Sequence, residues 1–410
     1  MTAGLRSVLD RLRPGMRVLL SGGAGEPTGF LDALAAEPDR ADGVTFVGAW
    51  IPTVNRFDVA SLAPGCRAEG FFASEAVRAS FEVGRFAYLP LDYSQIYRFL
   101  GSGDARIDLA VATVAPAQDG RVSLGIAHDF LPALAQTAAT LVGLVNAKMA
   151  AARDGQFIAA DRFEVLAEVG DDLVTLAPSG GSAAAIGEAV ASLVRDGDVV
   201  EVGIGRLGAA VLNALRDHRG LGVHAGMITD EVLDLFDAGA VTQGITTGIA
   251  VGTAEFEARV ATHEHVRFRT ADITHGQATL ATIPRLAAVN FVLEVDLFGQ
   301  VNAERIGGRL VSGRGGLADF ARGARHGGGQ SIVALASVAG RNRQSRIVPV
   351  LGPGPATLTR GDVDFVVTEH GIADLRHSSI DACAERLIAV ADPTARPGLA
   401  EAWTRMRRAM

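Results

Sequence analysis

The sequence predicts an α/β protein that consists of two related open α/β/α domains. The chain has 410 residues, of which 48% are hydrophobic, so it can bury more than one core. One order of elements near the N-terminus occurs again in the middle of the chain. Several strand-like runs, DLAVATVAP among them, are continuously apolar, as parallel strands buried on both faces are.

The repeated order of elements is helix, turn, buried strand, glycine turn and helix. In the first copy, the strand MRVLLSG is followed by a glycine turn at residues 22–27 and the helix TGFLDALAAE. The second copy lies within residues 186–218, where DVVEVGIG leads into the helix RLGAAVLNALRDH. Residues 176–185, LAPSGGSAAA, have the composition of a linker. We therefore predict two domains, at 1–180 and 181–410.

Further strand-like runs follow in both halves, including VTFVGAW and FAYLPLD in the first and GQSIVALASVAG and DVDFVVTEHGIADL in the second. Open parallel sheets usually bind ligands beyond the carboxyl ends of their strands. We interpret residues 368–371, TEHG, as a strand-to-helix turn. Its side chains, Glu369 among them, would then point into the crevice.

The stretch NFVLEVDL, residues 290–297, alternates apolar and polar residues and predicts one strand with a single buried face. Farther on, the loop SGRGG at residues 312–316 precedes the predicted helix LADFARGA. Glycines let a backbone approach a ligand closely, and N–H groups at the start of a helix attract negative charge. The loop is therefore a candidate binding site.

Charge and cysteine content exclude several classes of protein. The formal net charge is -8 and the basic residues are scattered, which argues against a nucleic-acid groove or a basic membrane-binding helix. Cys66 and Cys383 lie far apart without metal-type spacing. The sequence has no signal-peptide pattern and no apolar run of ~18 residues. We expect a soluble cytoplasmic protein without a metal site, a membrane partner or a nucleic-acid partner.

Longer motifs resemble the acetyl-CoA hydrolase and CoA-transferase family, in particular its 4-hydroxybutyrate CoA-transferase branch. They include VLEVDLFGQVNAERIGG, SGRGGLADFARGA, VVTEHGIADLR, PLDYSQIY and DLAVATVAPAQDGRVSLGIAHDF, and they span essentially the whole chain. The resemblance implies an active site between two CoA-transferase-type domains and a homodimer. It also implies a coenzyme A thioester as substrate, with no tightly bound cofactor, and a small-molecule acceptor or water as second reactant. In that family a glutamate attacks the acyl-CoA, and a glutamyl-CoA thioester forms.

The chain departs from the family at the position of this glutamate. The family motif G-I-H-T-E-M corresponds to residues 222–227 here, and Gly226 stands in place of the glutamate. A family asparagine corresponds to His275, whereas His224 and the oxyanion-loop residue Gly316 are retained. The residues that we expect to bind the thioester are Gly205, Gly226, Arg314, Gly315 and Gly316.

The missing glutamate leaves three functional hypotheses. In the first, water or another acceptor attacks the acyl-CoA directly, with His275 as general base, because an unperturbed imidazole titrates near neutral pH. His224 would assist His275 or orient the residues around it. Alternatively, His275 is not catalytic and only fills the space of the family asparagine. In the second, ordinary CoA transfer uses a relocated carboxylate; the candidates are Glu201, Asp230, Glu231, Glu294 and Glu369. In the third, the protein is an inactive CoA-binding or scaffold protein.

Overall fold

The first domain contains one parallel sheet with helices packed on it. The computed structural model describes residues 2–177 and 183–410. The helices of the first domain are α1 (Ala3–Leu9), α2 (Thr28–Ala36), α3 (Arg78–Glu82), α4 (Tyr93–Gly101) and α5 (Leu131–Thr137). Its strands are β1 (Arg17–Leu20), β2 (Thr45–Gly48), β3 (Arg67–Gly70), β4 (Phe86–Tyr88), β5 (Leu109–Val114), β6 (Arg121–Ser123), β7 (Thr140–Asn146), β8 (Phe157–Ala159) and β9 (Val165–Val169).

The second domain is larger and adds short strands outside its main sheet. Its helices are α6 (Ala184–Ala191), α7 (Arg206–Ala214), α8 (Asp230–Asp237), α9 (Ala254–Thr262), α10 (Ala271–Thr274), α11 (Gln277–Leu280), α12 (Leu317–His326), α13 (Ile380–Val390) and α14 (Arg396–Arg408). The strands that form its main sheet are β10 (Val199–Val202), β11 (Leu221–Ile228), β12 (Val241–Ala250), β13 (Val266–Phe268), β14 (Leu286–Phe291), β19 (Gln330–Ala334), β23 (Phe365–Thr368) and β24 (Gly371–Asp374). The short strands are β15 (Glu294–Asp296), β16 (Val301–Asn302), β17 (Arg305–Ile306), β18 (Arg309–Leu310), β20 (Val338–Ala339), β21 (Gln344–Ser345) and β22 (Ile347–Val348).

The two main sheets share one topology. The first has the order β4-β3-β2-β1-β5-β7-β9, and the second has the order β13-β12-β11-β10-β14-β19-β23-β24. In each, the first strand of the domain is central, the next three extend to one side, and later strands extend to the other. Only β24 at the edge of the second sheet runs antiparallel. The predicted fold class is therefore confirmed. The predicted boundary between residues 180 and 181 falls outside the described residues.

The two domains are joined by a continuous apolar core. One face of the first sheet packs against α1 and α2, whereas the core on its other face continues into α6, α7 and the strands β10 to β13 of the second domain. The backbone also crosses the junction: His128 N donates to Gly248 O at 2.9 Å, and Ala250 N donates to Ile126 O at 2.9 Å. The crevice between the domains therefore has well-packed walls.

Two local predictions are wrong. Residues 290–297 do not form one strand: β14 ends at Phe291 as a central strand of the main sheet, and β15 belongs to a separate small sheet with β16 and β22. Residues 368–371 do not form a strand-to-helix turn, because β23 and β24 pair as an antiparallel hairpin that closes at Thr368 and Gly371. Among the described residues, no helix is long and apolar enough to cross a membrane.

Candidate active site

A cavity of ≈ 180 Å³ lies between the two domains. It is found beyond the carboxyl ends of β10 and β14, where parallel sheets usually bind ligands, and it reaches the start of α12. The first domain contributes Ile51, Phe72 and Tyr93 to its lining. The second domain contributes Glu201, Val202, Gly203, Ile204, Gly226, Met227, His275, Asn290, Gly315, Gly316, Leu317 and Phe320.

The imidazole of His275 lies in the wall of this cavity. The residue follows α10 directly, and its side chain packs against two aromatic rings, with centroid distances of 4.4 Å to Tyr93 and 4.9 Å to Phe320. Its Nδ1 lies 2.8 Å from the hydroxyl oxygen of Thr274. The ring is therefore fixed by packing against two aromatic side chains and by one polar contact.

Two glycines approach the other nitrogen of this ring. A Cβ placed on Gly226 would lie 2.6 Å from Cε1 and Nε2 of His275, and one placed on Gly316 would lie 2.5 Å from Nε2 and Cδ2. Neither distance is compatible with a normal van der Waals contact. The imidazole therefore occupies the space that a side chain at position 226 would need. The two departures from the family pattern are sterically coupled.

The environment keeps this imidazole uncharged. Burial, with a contribution from the nearby His224, lowers the pKa of His275 to about 3. Burial also lowers the pKa of His224, whose Nε2 lies 3.0 Å from the carbonyl oxygen of Thr274. His224 is not part of the cavity lining. It instead contacts the segment that carries His275, which fits an orienting role.

Glu201 places a carboxyl group in the same cavity. It lies in β10, is 4% exposed, and its Oε2 accepts a hydrogen bond from Asn290 Nδ2 at 2.9 Å. Burial raises the pKa of Glu201 to about 8, although the hydrogen bonds from Asn290 and the Val289 backbone oppose this shift. Its carboxyl group is therefore mostly protonated at neutral pH. At that pH, Glu201 and His275 are both neutral.

The other candidate carboxylates lie outside the cavity lining. Asp230 and Glu231 are in the first turn of α8, where Asp230 accepts hydrogen bonds from Thr253 and Glu231 accepts one from the Thr229 hydroxyl. Glu294 accepts a hydrogen bond from the side chain of Asn302. These contacts give all three a structural role.

Glu369 was expected to point into the crevice, and the structure places it elsewhere. It lies in the turn of the β23–β24 hairpin, where it accepts hydrogen bonds from the backbone N–H and the hydroxyl of Ser337 at 2.8 and 2.7 Å. Burial acts to raise the pKa of Glu369, but these hydrogen bonds outweigh it and lower the pKa. The expectation failed because the chain reverses into an edge strand instead of entering a helix.

Among the expected binding residues, Gly226, Gly315 and Gly316 line the cavity. Gly205 lies just outside it, at the start of α7, with a φ of 97° that favours glycine. Arg314 is also outside the lining, because its Nε donates to Asp92 Oδ1 at 2.6 Å and so ties the glycine loop to the first domain. Its role in binding stays a prediction.

The sequence did not indicate the central position of Tyr93, which occurs there only within the motif PLDYSQIY. Its backbone N–H donates to Gly315 O at 3.0 Å, its ring packs on His275, and its hydroxyl donates to Asp129 Oδ2 at 2.8 Å. Asn290 was missed as well. The one available signal was that Asn290 and Glu201 both lie near the carboxyl ends of strands, which prove to be neighbours.

Within residues 2–177 and 183–410, no group of three or more His, Cys, Asp or Glu side chains is arranged to hold a metal ion. The cavity offers a neutral imidazole, a neutral carboxyl group and the N-terminal end of α12. Backbone N–H groups at such an end can stabilise a developing oxyanion.

Comparisons with known proteins identify the family of this chain. Residues 5–178 match the acetyl-CoA hydrolase/transferase N-terminal domain, and residues 252–403 match the C-terminal domain of the same family. The 4-hydroxybutyrate coenzyme A transferase of Clostridium kluyveri is 30% identical over 396 residues, which cover 93% of this chain and 92% of that protein. The chain belongs to the acetyl-CoA hydrolase/transferase family. It is accordingly an acyl-CoA transferase/hydrolase-like enzyme.

Solved structures of family members have the same two-domain fold. RipA from Yersinia pestis superimposes with a TM-score of 0.91 at 26% identity, covering 99% of this chain and 97% of that one. The 4-hydroxybutyrate CoA-transferase of Porphyromonas gingivalis gives a TM-score of 0.81 at 27% identity, covering 100% of this chain and 97% of that one.

A hydrolase is also among the sequence relatives. An acetyl-CoA hydrolase of Candida albicans is 29% identical over 213 residues, or 50% of this chain and 40% of that protein.

Proposed function

We propose that the protein cleaves acyl-CoA thioesters by direct attack of water, or of another small acceptor, on the thioester carbonyl. His275 is the general base, and the backbone N–H groups of the Gly316 loop stabilise the oxyanion. The observation that carries the proposal is the position of the His275 imidazole, which fills the space beside Gly226 and lies against Gly316 in the cavity between the domains. No glutamyl-CoA thioester forms at position 226 in this scheme, because glycine has no carboxylate.

The reaction needs no covalent enzyme intermediate. The oxygen of water attacks the carbonyl carbon while one of its protons passes to Nε2 of His275. The tetrahedral intermediate then collapses, the carbon–sulfur bond breaks, and the proton held by His275 passes to the departing thiolate. The products are a carboxylic acid and free CoA. Thioester carbonyl oxygens that gain negative charge in such a step are stabilised by preorganised N–H donors.

The contacts of Thr274 favour the tautomer that this step requires. Its hydroxyl lies 3.4 Å from the carbonyl oxygen of Thr270, to which it can donate. The hydroxyl oxygen then accepts from Nδ1–H of His275, and the lone pair of Nε2 is directed toward the two glycines. The lowered pKa keeps this nitrogen unprotonated above about pH 3. A base of such low pKa is always available but weak, so we expect modest turnover.

The test is to measure free thiol release from a series of acyl-CoAs with and without a carboxylate acceptor, and to treat the reaction with borohydride or hydroxylamine. We expect release that does not depend on a carboxylate and no trapped enzyme adduct. Acceptor-dependent exchange together with a trapped glutamyl adduct would refute direct attack. Failure to release thiol from any acyl-CoA would favour a binding protein without catalysis.

Glu201 supports a second candidate function, in which it serves as the relocated nucleophile of ordinary CoA transfer. The observation in its favour is that its carboxyl group lies in the same cavity. The raised pKa works against this role at neutral pH, because a protonated carboxyl group is a poor nucleophile. The two functions differ in pH dependence: transfer through Glu201 should increase as pH rises through about 8, whereas catalysis by His275 should not.

The expected homodimer and cytoplasmic location remain proposals. The family relationship supports acyl-CoA as substrate and either a carboxylate or water as acceptor. Sedimentation of the purified protein would establish its oligomeric state.

A further inference from the structure

The cavity between the domains has neither a lysine nor an arginine among the described residues that line it, and the N–H groups at the start of α12 are occupied by the thioester oxygen in the proposed function. Its walls are largely apolar side chains and glycine backbone, and its polar side chains Tyr93, Glu201, Asn290 and His275 are neutral at pH 7. A group that enters the cavity therefore leaves water without meeting a cation.

Two basic side chains close in sequence to the lining residues, Arg314 and Arg322, are already paired, and Arg206, two residues after Ile204, is exposed on the first turn of α7 outside the lining. Arg314, next to Gly315, donates to Asp92 Oδ1 at 2.6 Å. Arg322, two residues after Phe320 in α12, lies 3.7 Å from Asp92 and 3.3 Å from Asp362. Carboxylates therefore offset both guanidinium groups. Their charge is not directed at the cavity.

We propose that this cavity accepts uncharged acyl groups and rejects acyl groups that carry a second carboxylate. The inference rests on the proposed function, since it assumes that the acyl group of an acyl-CoA occupies the cavity. Its physical basis is the cost of moving a carboxylate out of water into a site that has no counter-cation. A neutral chain has no such cost and gains from contact with side chains such as Ile51, Met227 and Phe320.

Glu201 adds to this selection at higher pH. Its carboxyl group faces the cavity and becomes negatively charged as pH rises through about 8, at its raised pKa. Two carboxylates in one low-dielectric site repel each other. Rejection of a dicarboxylic acyl group should therefore become stronger from pH 7 to pH 9 in the parent protein. The substitution Glu201→Gln should remove that pH dependence while it preserves rejection at pH 7.

Butyryl-CoA and succinyl-CoA provide a matched pair of probes. Both carry a four-carbon acyl chain, which ends in a methyl group in butyryl-CoA and in a carboxylate in succinyl-CoA. We would measure binding by calorimetry at pH 7, with analogues of both in which methylene replaces the thioester sulfur, so that hydrolysis does not interfere. We expect the butyryl analogue to bind at least about tenfold more tightly, because only the succinyl analogue buries an unpaired charge.

A cation introduced into the lining should reverse this preference. Ile204 lines the cavity and is half-buried on the turn before α7, so Ile204→Arg should strengthen binding of the succinyl analogue and weaken that of the butyryl analogue. Ile204→Met is the uncharged control and should preserve the parent preference. Equal binding of both analogues, no binding of either, or no reversal in Ile204→Arg would overturn the inference. A clear preference for the butyryl analogue without thiol release from butyryl-CoA would instead refute only the proposed function.

Discussion

The two domains share one sheet topology, yet their equivalent glycine turns have different surroundings. The turn after β1 is filled: Asn55 Oδ1 accepts from the N–H groups of Gly23 and Ile51, each at 2.9 Å, and Asn55 Nδ2 donates to Gly23 O. The turn after β10 is open, and its residues Gly203 and Ile204 line the cavity. The repeat thus provides two scaffolds, of which the second carries most of the site.

The difference arises from a few residues at strand ends. In the first domain, β1 and β5 carry the apolar side chains Leu20 and Val111, whereas β10 and β14 of the second carry the hydrogen-bonded pair Glu201 and Asn290. The first domain contributes a wall to the site through residues such as Tyr93. Two domains can therefore share a fold while only one of them carries the reactive side chains, because those side chains depend on local substitutions.

The largest expected effect is a loss of activity, and it should distinguish two buried histidines, His275 in the second domain and His128 in the first. His275→Gln should reduce kcat/KM for thioester hydrolysis by about 10²-fold, the lower end of the usual contribution of a general base, because the lowered pKa makes His275 a weak base. His128 of the first domain is also buried, has a pKa lowered to about 3 by burial, and accepts from Gln156 N at 2.8 Å. His128→Gln should instead lower stability by about 1–3 kcal/mol, because it disturbs a buried hydrogen bond.

Steady-state kinetics and urea denaturation of both variants separate the two roles. The proposed base would be excluded if His275→Gln retained full activity while remaining folded. A loss of activity in His128→Gln as large as that in His275→Gln would mean that the two histidines do not differ in function.

A second comparison uses buried carboxyl groups with raised pKa values. The pKa of Glu201 is raised to about 8 and that of Glu26, beside the filled turn, to about 7, in both cases by burial. Between its ordinary value of about 4.5 and the raised value, each group is protonated in the folded protein and ionised in the unfolded chain. Stability therefore falls as pH rises through each window, by an amount of order a few kcal/mol.

In each Glu→Gln variant, the decrease in stability that the replaced carboxyl group causes should be absent. Thermal unfolding at pH 5, 7 and 8.5 measures this stability. Glu201→Gln should flatten the stability profile up to about pH 8, and Glu26→Gln only up to about pH 7. At pH 7 both variants should keep their hydrolytic activity, because glutamine resembles a protonated carboxyl group. Complete inactivation of Glu201→Gln alone would support the nucleophile hypothesis.

A third prediction concerns the coupling between positions 226 and 275. Gly226→Glu alone should destabilise the protein by about 1–3 kcal/mol, because its Cβ would lie 2.6 Å from the imidazole and overpack the site. The double variant Gly226→Glu/His275→Asn should regain most of the lost stability, because the smaller asparagine frees the space. Chemical denaturation of the single and double variants gives the coupling energy, and additive effects would contradict the steric account. Gly226→Glu with His128→Asn is the control, which should show no recovery.

The sequence was sufficient for the fold because its signals are local: apolar runs, glycine turns and a repeated order of elements. It also led to Gly226, Gly316 and His275, which lie in one cavity. It failed where pairing between distant segments decides the structure. The alternating pattern of residues 290–297 could not show that β14 and β15 join different sheets, and TEHG could not show that the chain turns back beside β23.

The smallest expected effect tests how the first domain supports the site. Tyr93→Phe removes the hydroxyl that donates to Asp129 Oδ2 at 2.8 Å but keeps the ring on His275 and the backbone bond to Gly315. We expect a loss of about 0.5–1.5 kcal/mol in unfolding free energy and only a small change in kcat. Tyr97→Phe is the matched control, since Tyr97 lies on the same helix outside the cavity lining. A decrease in kcat of about 100-fold in Tyr93→Phe alone would instead indicate a hydroxyl that takes part in proton transfer, because a packing change of this size cannot account for it.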